Sequence, residues 1–141
     1  SNVSEIEKYN GELVFNGIID CAKQALENDI PVVLGNDVGC PWVSQYDFWR
    51  ELYYFHKYIG VPNRFALYTA TSLASKYVGL ENITGSIDVG KDADMIVVSE
   101  NPLDDLKALR YVEKVFTRGK LIDHPKVKIN KTVETELDKY L

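Results

Sequence analysis

Apolar residues recur every three or four positions near the start of the chain, which is the spacing of one face of a helix. This pattern covers Val14 to Asn28 and predicts an amphipathic helix there. Its apolar members are Val14, Phe15, Ile18, Ile19, Ala22 and Leu26. A second pattern of the same period covers Ser44 to Ile59 and predicts a second helix. Its apolar stripe consists of Phe48, Leu52, Phe55 and Ile59.

The second helix carries recognisable end signals. Ser44 and Asp47 have the spacing of a capping box, with Asp in place of the usual Glu, and Gly60 is a natural stop. Two shorter helical segments, at about 63–70 and 72–78, follow on either side of a break.

Between the first two helices lies the short run 31–34, which is apolar without alternation. Such a run is typical of a strand that is covered on both faces in a parallel sheet. The run ends in the turn 35–39, Gly-Asn-Asp-Val-Gly, which contains Asp37. Because α/β architectures build their sites where strands end, Asp37 is the best candidate for chemistry. The alternative is a plain turn, since Asn, Asp and Gly all favour turns.

The pattern changes to strands beyond residue 80. Segments 83–89 and 93–99 predict one hairpin, and segments 112–117 and 120–122 predict another, each joined by a turn that contains glycine. The remainder is polar, with a terminal helix expected from Val133.

Composition narrows the classes of partner. Of 141 residues, 45% are apolar and 26% are charged, with 16 basic and 21 acidic side chains and a net charge of −5. This balance argues against a nucleic-acid partner and against an anionic membrane surface. No apolar run approaches the roughly 20 residues of a membrane helix. The two cysteines form no disulfide framework, so we expect a cytoplasmic protein.

Few other side chains are candidates for a site. His56 and His124 have no partner at ligand spacing, and a catalytic zinc normally takes three protein ligands. A complete metal site therefore cannot be assembled from these residues alone. Cys40, close after Asp37, is expected to be a partly buried structural thiol. Helical spacing favours packing over a substrate pocket for the aromatic residues Tyr46, Phe48, Trp49, Tyr53, Tyr54, Phe55 and Tyr58.

Three motifs occur in an informative order. The run 85–94, Gly-Ser-Ile-Asp-Val-Gly-Lys-Asp-Ala-Asp, is followed by Asn-Pro at 101–102 and by Val-Phe-Thr-Arg-Gly-Lys at 115–120. Together with the turn 35–39 and the Pro/Ala/Thr pattern of 62–74, this order resembles the closing segment of the amidohydrolase superfamily. Among its branches, the chain resembles the imidazolonepropionase and prolidase-like ones.

The resemblance implies an α/β fold of two parts. Residues 1–81 would be the C-terminal segment of a TIM-like (β/α)8 metal-dependent hydrolase barrel. Residues 82–123 would supply the C-terminal strands of the accompanying composite β-sandwich domain, and 124–141 would be a polar tail. In such a chain the family's remaining metal ligands would precede residue 1.

The resemblance also implies a chemistry. In the full-length enzyme Asp37 would be a metal ligand and the general base that takes a proton from the water attacking a C–N bond. The metal would be divalent, zinc in one or two copies, and the substrate a small amide, cyclic amide or peptide-like molecule. Asn36 stands where the family usually has Thr or Ser.

The isolated chain is expected to differ from that enzyme. Because it holds one ligand, it should carry no metal and should not catalyse, and its unpaired strands should make it self-associate. The alternative is a non-catalytic structural or oligomerisation module derived from an amidohydrolase. A His-x-His upstream of Ser1 in the reading frame would favour the enzyme, whereas a nearby start codon would favour the module.

Overall fold

The structure is a computed structural model that describes residues 4–141. The elements of this part are α1 (Glu5–Glu27), α2 (Phe48–Tyr54), α3 (Asn63–Ala70), α4 (Ser72–Tyr77), β1 (Met95–Val98), β2 (Val112–Thr117), β3 (Lys120–Asp123) and α5 (Lys131–Leu137). A π-helical turn, Phe55–Ile59, extends α2, and two 3₁₀ turns lie at Leu106–Arg110 and Asp138–Tyr140. The predicted α/β character is confirmed. Within residues 4–141, none of the helices has the length and hydropathy needed to cross a bilayer.

Helix α1 begins earlier than its apolar pattern predicts. A capping box starts it, in which the Ser4 hydroxyl accepts a hydrogen bond from the Glu7 amide and the Glu7 carboxylate accepts one from the Ser4 amide. None of the α1 residues is buried, and Ile18 is 63% exposed. Phe15 packs edge-on against Tyr58, with ring centroids 5.1 Å apart. The apolar stripe is therefore present but largely uncovered by the described residues.

The prediction of a buried strand at 31–34 is wrong for the described chain. These residues are extended, but they pair with no other strand among residues 4–141. Val32 and Leu34 pack against the hydrophobic core, while Val33 between them is exposed. A segment covered on one side alone and without neighbouring strands cannot form the predicted ladder.

Helix α2 begins at Phe48, so the prediction of a start at Ser44 is wrong. Asp47 occupies the N-cap position but makes no capping hydrogen bond, because its carboxylate lies beside Arg50 instead. The predicted end is confirmed at Gly60, which has a φ of 87°. The buried members of the hydrophobic core are Leu52, Phe55, Val61, Ala66 and Leu106.

The two shorter helices, α3 and α4, are confirmed. They are separated at Thr71, whose φ of −124° and ψ of −94° interrupt the helical backbone. Thr69 is fully buried in α3, and its hydroxyl donates to the Ala66 carbonyl at 2.7 Å. This bond satisfies the one polar group of a side chain that would otherwise be costly to bury.

The sheet is antiparallel in the order β1-β2-β3. The predicted second hairpin is confirmed as β2 and β3. Its two turn residues, Arg118 and Gly119, both have positive φ, at 49° and 76°. Positive φ at both central positions is the pattern of a type I′ turn, whose twist suits a two-residue hairpin.

The predicted first hairpin is wrong. Only β1 forms a strand there, and it pairs with β2 rather than with the preceding segment. Residues 83–92 are irregular, because they are held against α4: the Ser72 hydroxyl donates to the Gly85 carbonyl at 2.8 Å. The packing of this segment onto a helix therefore replaces the local strand pairing.

The terminal helix is confirmed as α5, which begins two residues before the expected Val133. The surrounding segment lies along α2. The Asn130 amide donates to the Tyr46 hydroxyl at 2.9 Å, and the Lys57 ammonium donates to the Tyr140 carbonyl at 2.5 Å. The polar residues 124–141 are thus fastened to the helical part of the chain. The boundaries at residues 81 and 123 remain predictions.

Candidate active site

Asp37 lies just after the extended segment 31–34, at the position that the sequence indicates. Its φ of 46° places it in the left-handed region, which Asp tolerates better than most residues. A short backbone bridge between Val38 and Cys40 closes the turn after it. The Asp37 residue is exposed, so its carboxylate is accessible to a ligand or a reacting molecule.

Cys40 is the side chain that contacts Asp37. Its thiol lies 3.7 Å from Asp37 Oδ2, as a weak donor to the carboxylate. Cys40 is exposed, so the expectation of a partly buried thiol is wrong. The tight turn brings the thiol back over the carboxylate instead of directing it into the core.

A metal ion would need more donors than the described residues bring to Asp37. Within residues 4–141, no three His, Cys, Asp or Glu side chains are grouped closely enough to hold one. His56 lies on α2's π-helical extension, with its Nδ1 2.7 Å from the Val61 carbonyl oxygen. His124 is 80% exposed, with Asp123 at 4.0 Å. The residues of the described chain therefore do not by themselves fit a catalytic zinc, which takes three protein ligands.

A cavity of about 200 Å³ adjoins the Asp37 turn. Its lining residues come from the turn 35–39, from the segment that precedes α2, from α2 and from α5. The residues that line it are Asn36, Trp42, Val43, Ser44, Asp47, Arg50, Glu51, Tyr54 and Leu137. Its walls combine apolar surface with charged side chains, a combination that binding pockets commonly share.

A cluster of charged side chains adjoins this cavity through Asp47 and Arg50. Arg50, 2% exposed, donates from Nη2 to Glu134 Oε2 at 3.1 Å and to Asp138 Oδ1 at 2.6 Å. Arg110 donates from Nη2 to the same Glu134 Oε2 at 2.7 Å and to the second oxygen of Asp138, Oδ2, at 2.9 Å. Asp47 Oδ1 lies 3.5 Å from Arg50 Nε. The cluster joins α2 to α5 and to the 3₁₀ turn that precedes β2.

Burial and neighbouring charges shift the pKa values of the acidic residues in this region in different directions. Burial, together with the neighbouring Glu134, raises the pKa of Asp47 to about 6, although Arg50 acts against this shift. Burial also acts to raise the pKa of Asp138, but hydrogen bonds from Arg110 and Arg50 outweigh it and lower that pKa. Burial alone raises the pKa of Glu51.

Sequence reasoning missed this cluster. The sequence predicts a capping box that includes Asp47, and it predicts only a polar tail with a terminal helix for residues 124–141. A usable signal existed, because Glu134 and Asp138 are four residues apart and so share one face of a helix. Nothing in the local sequence, however, indicates that Arg50, 84 and 88 residues away, would meet that face.

The motif 85–94 has a structural role in the described chain. The Asp94 carboxylate accepts from the Arg118 amide at 2.8 Å and from the Thr84 hydroxyl at 3.0 Å. The Arg118 amide, followed by the Thr84 hydroxyl, lowers the pKa of Asp94. Asp94 thus ties the start of β1 to the turn between β2 and β3.

A second, larger cleft of about 1120 Å³ separates the helices from the sheet. One wall is formed by α3 and α4 and the other by β1 and β2. Most of its lining is apolar, including Leu67, Ala74, Val78, Ile96, Val115 and Phe116. This cleft is an unfilled space between two layers, remote from Asp37 in its lining residues.

Comparison with known proteins shows which family the chain resembles in sequence. The sequence profile described as the amidohydrolase family matches residues 12–122. An imidazolonepropionase from Thermoplasma volcanium is 26% identical over 107 residues, which are 72% of this chain and 26% of that protein.

Solved structures agree with the profile. A protein from Bifidobacterium longum, provisionally described as a prolidase, superposes with a TM-score of 0.91 at 35% identity, over 97% of this chain and 34% of that one. A Xaa-Pro dipeptidase with methionine bound in its active site gives a TM-score of 0.69 at 32% identity, over 75% of this chain and 25% of that one. This chain thus spans about a quarter to a third of the length of these relatives. Since the profile covers most of the sequence, the chain belongs to the amidohydrolase family.

Proposed function

We propose that this chain forms the closing part of an amidohydrolase that hydrolyses a C–N bond in a small amide, cyclic amide or peptide-like substrate. Membership of the amidohydrolase family supports the reaction class. The names of the similar proteins, an imidazolonepropionase and a Xaa-Pro dipeptidase, support substrates of that kind. In this proposal residues 1–81 complete a (β/α)8 barrel and residues 82–123 contribute to a composite β-sandwich.

The observation that carries the proposal is the exposed carboxylate of Asp37, held at the end of an extended apolar segment. In the proposed role, this carboxylate accepts a proton from the attacking water and returns it to the leaving amine. Asp37 is also proposed as one ligand of a divalent metal, zinc in one or two copies. Bound there, a metal would supply Lewis acidity. Its remaining ligands would come from outside the described residues.

The direct test is Asp37→Asn in the complete enzyme. Asn is nearly isosteric with Asp but cannot take up the proton, so kcat should fall by about 10²- to 10⁴-fold while the fold is retained. Asn36→Thr, the matched control next to it, should leave kcat within about threefold. Full activity of the Asp37→Asn enzyme at unchanged metal content would remove Asp37 from the mechanism.

The competing function is a structural or oligomerisation module without catalysis. The reading frame upstream of Ser1 separates the two, since a His-x-His there supports the enzyme and a nearby start codon supports the module. We further propose a cytoplasmic location, which the free thiols of Cys21 and Cys40 support.

A further inference from the structure

Two buried carboxyl groups meet where the C-terminal segment joins α2. Asp47 and Glu134 are 6% and 8% exposed, and Arg50 contacts both. Glu134 Oε2 receives the hydrogen bonds of the arginines, but Glu134 Oε1 and both carboxylate oxygens of Asp47 have no hydrogen-bond partner within the described residues. Buried polar atoms without a partner cost free energy, and two adjacent carboxylates repel each other. Arg50 Nε and Nη1 also have no hydrogen-bond partner within the described part of the chain, although Nε lies 3.5 Å from Asp47 Oδ1. The hydrogen bonds of the arginines therefore leave Glu134 Oε1 and the Asp47 carboxylate unsatisfied.

We propose that Asp47 and Glu134 share one proton, and that this proton-bound pair fastens the C-terminal segment 130–141 onto α2. A single proton converts one carboxyl group into a donor, so that an oxygen of each residue gains a partner. It also removes the repulsion between two buried negative charges. The arginines donate to Glu134 Oε2, which leaves Glu134 Oε1 for the shared proton.

The surrounding charges fit this interpretation. The 3₁₀ turn before β2 contributes Arg110, α2 contributes Arg50, and the C-terminal segment contributes Asp138 beside Glu134. Two arginines therefore face three carboxylates, Asp47 included, which leaves 2 − 3 = −1. One bound proton makes the cluster neutral. Glu51 and Tyr54 of α2, with Asp47 and Arg50, line the adjoining cavity.

The sign of the pH dependence follows from Asp47. Burial and Glu134 raise its pKa from 3.8 to about 6, so the protonated form favours the docked segment. This stabilisation is complete below the unfolded pKa and is lost as the pH rises through about 6. Asp138, with its lowered pKa, acts oppositely but only at pH values near and below 3.8. Between pH 5 and 7.5 the docked-to-undocked ratio should fall about tenfold.

Undocking would also alter the region beside Asp37. Leu137 of α5 and Asp47 are both part of the cavity wall that adjoins the Asp37 turn. The contacts that hold the pair lie between described residues, whether or not the chain serves the proposed hydrolase.

Amide hydrogen exchange on the full chain tests the pair. Exchange of peptides covering 131–140 is measured at pH 5 and at pH 7.5, and each rate is divided by the intrinsic rate at that pH. The protection factor should be about tenfold higher at pH 5 in the unchanged chain. In Asp47→Asn it should be the same at both pH values, because the amide is a donor to Glu134 at either pH.

Three further variants complete the design. Glu134→Gln removes the pair from the other side and should weaken the pH dependence, because the burial of Asp47 remains but the second carboxyl group does not. Glu136→Gln, on the outer face of α5 beside Lys139, and Glu51→Gln, in the cavity wall, should retain it. Independently of any variant, the carboxyl carbon of Asp47 should titrate near pH 6 in ¹³C NMR of the unchanged chain. Equal protection at the two pH values in the unchanged chain, a pH dependence that survives in Asp47→Asn, or one that Glu134→Gln leaves undiminished, would overturn the proposal.

Discussion

At the scale of residues, Gly85 explains why the family motif contains a glycine at its first position. A Cβ atom at Gly85 would lie 2.2 Å from Ser75 Oγ and 3.1 Å from the Thr71 carbonyl oxygen. Its φ of 92° is also one that residues with a side chain rarely adopt. Gly90 in the same motif has a similar φ of 94°, but a Cβ there would meet nothing within 4 Å. At Gly85 a side chain would therefore both clash with its neighbours and require an unfavourable φ, whereas at Gly90 only the φ would be unfavourable.

We predict that Gly85→Ala destabilises the chain more than Gly90→Ala, by roughly 1–3 kcal/mol in the free energy of unfolding. Both variants incur the cost of an unfavourable φ, but only the first forces Ser75 and the backbone of α4 to move. Urea unfolding of both variants at equal protein concentration measures the difference. Equal destabilisation would mean that the contact with Ser75 imposes no constraint.

At the scale of elements, the local sequence predicted those helices and turns whose formation depends on residues close together in the chain. The period of three to four predicted α1 and the body of α2, and the glycine turn at 118–119 predicted the β2–β3 hairpin. The strand expected at 31–34 failed because pairing needs neighbours that its own sequence cannot supply. The hairpin expected at 83–99 failed because Gly85 packs on Ser75, a contact that no pattern within the hairpin encodes.

Local sequence likewise predicts only part of the candidate site. The turn glycines and the apolar run before them predict Asp37 as a site residue, and that role stays a prediction. The charged cluster around Arg50 could not be predicted, because its partners Glu134 and Asp138 are more than eighty residues away in sequence and meet it only through the packing of the C-terminal segment. Cys40 was close enough in sequence to be suspected, yet its burial depended on the path of the chain after the turn.

At the scale of the whole molecule, much apolar surface remains uncovered by the described residues. Helix α1 buries none of its residues, segment 31–34 has no paired strand, and β1 is an edge of the sheet. The cleft of about 1120 Å³ between helices and sheet adds apolar surface on both walls. Exposed edges and large apolar patches favour association.

We therefore predict that the chain, purified alone, associates with further copies of itself. Size-exclusion chromatography with light scattering at micromolar concentration should show dimers or larger species. A charge-bearing variant of the exposed stripe, Ile18→Lys, should shift the distribution towards monomer, whereas Lys23→Gln on the same helix should not. A monodisperse species of about 16 kDa that unfolds cooperatively would contradict the prediction.

The central claim is that Asp37 is one ligand of a metal site whose other ligands lie outside this chain. Elemental analysis after desalting tests it most directly, on the chain alone and on the complete enzyme. The account predicts less than about 0.1 zinc per isolated chain, because one carboxylate cannot hold the metal tightly. It predicts about one or two per complete enzyme, reduced in Asp37→Ala. About one metal per isolated chain, lost on Asp37→Ala, would contradict the account, as would a complete enzyme whose metal content does not change in that variant.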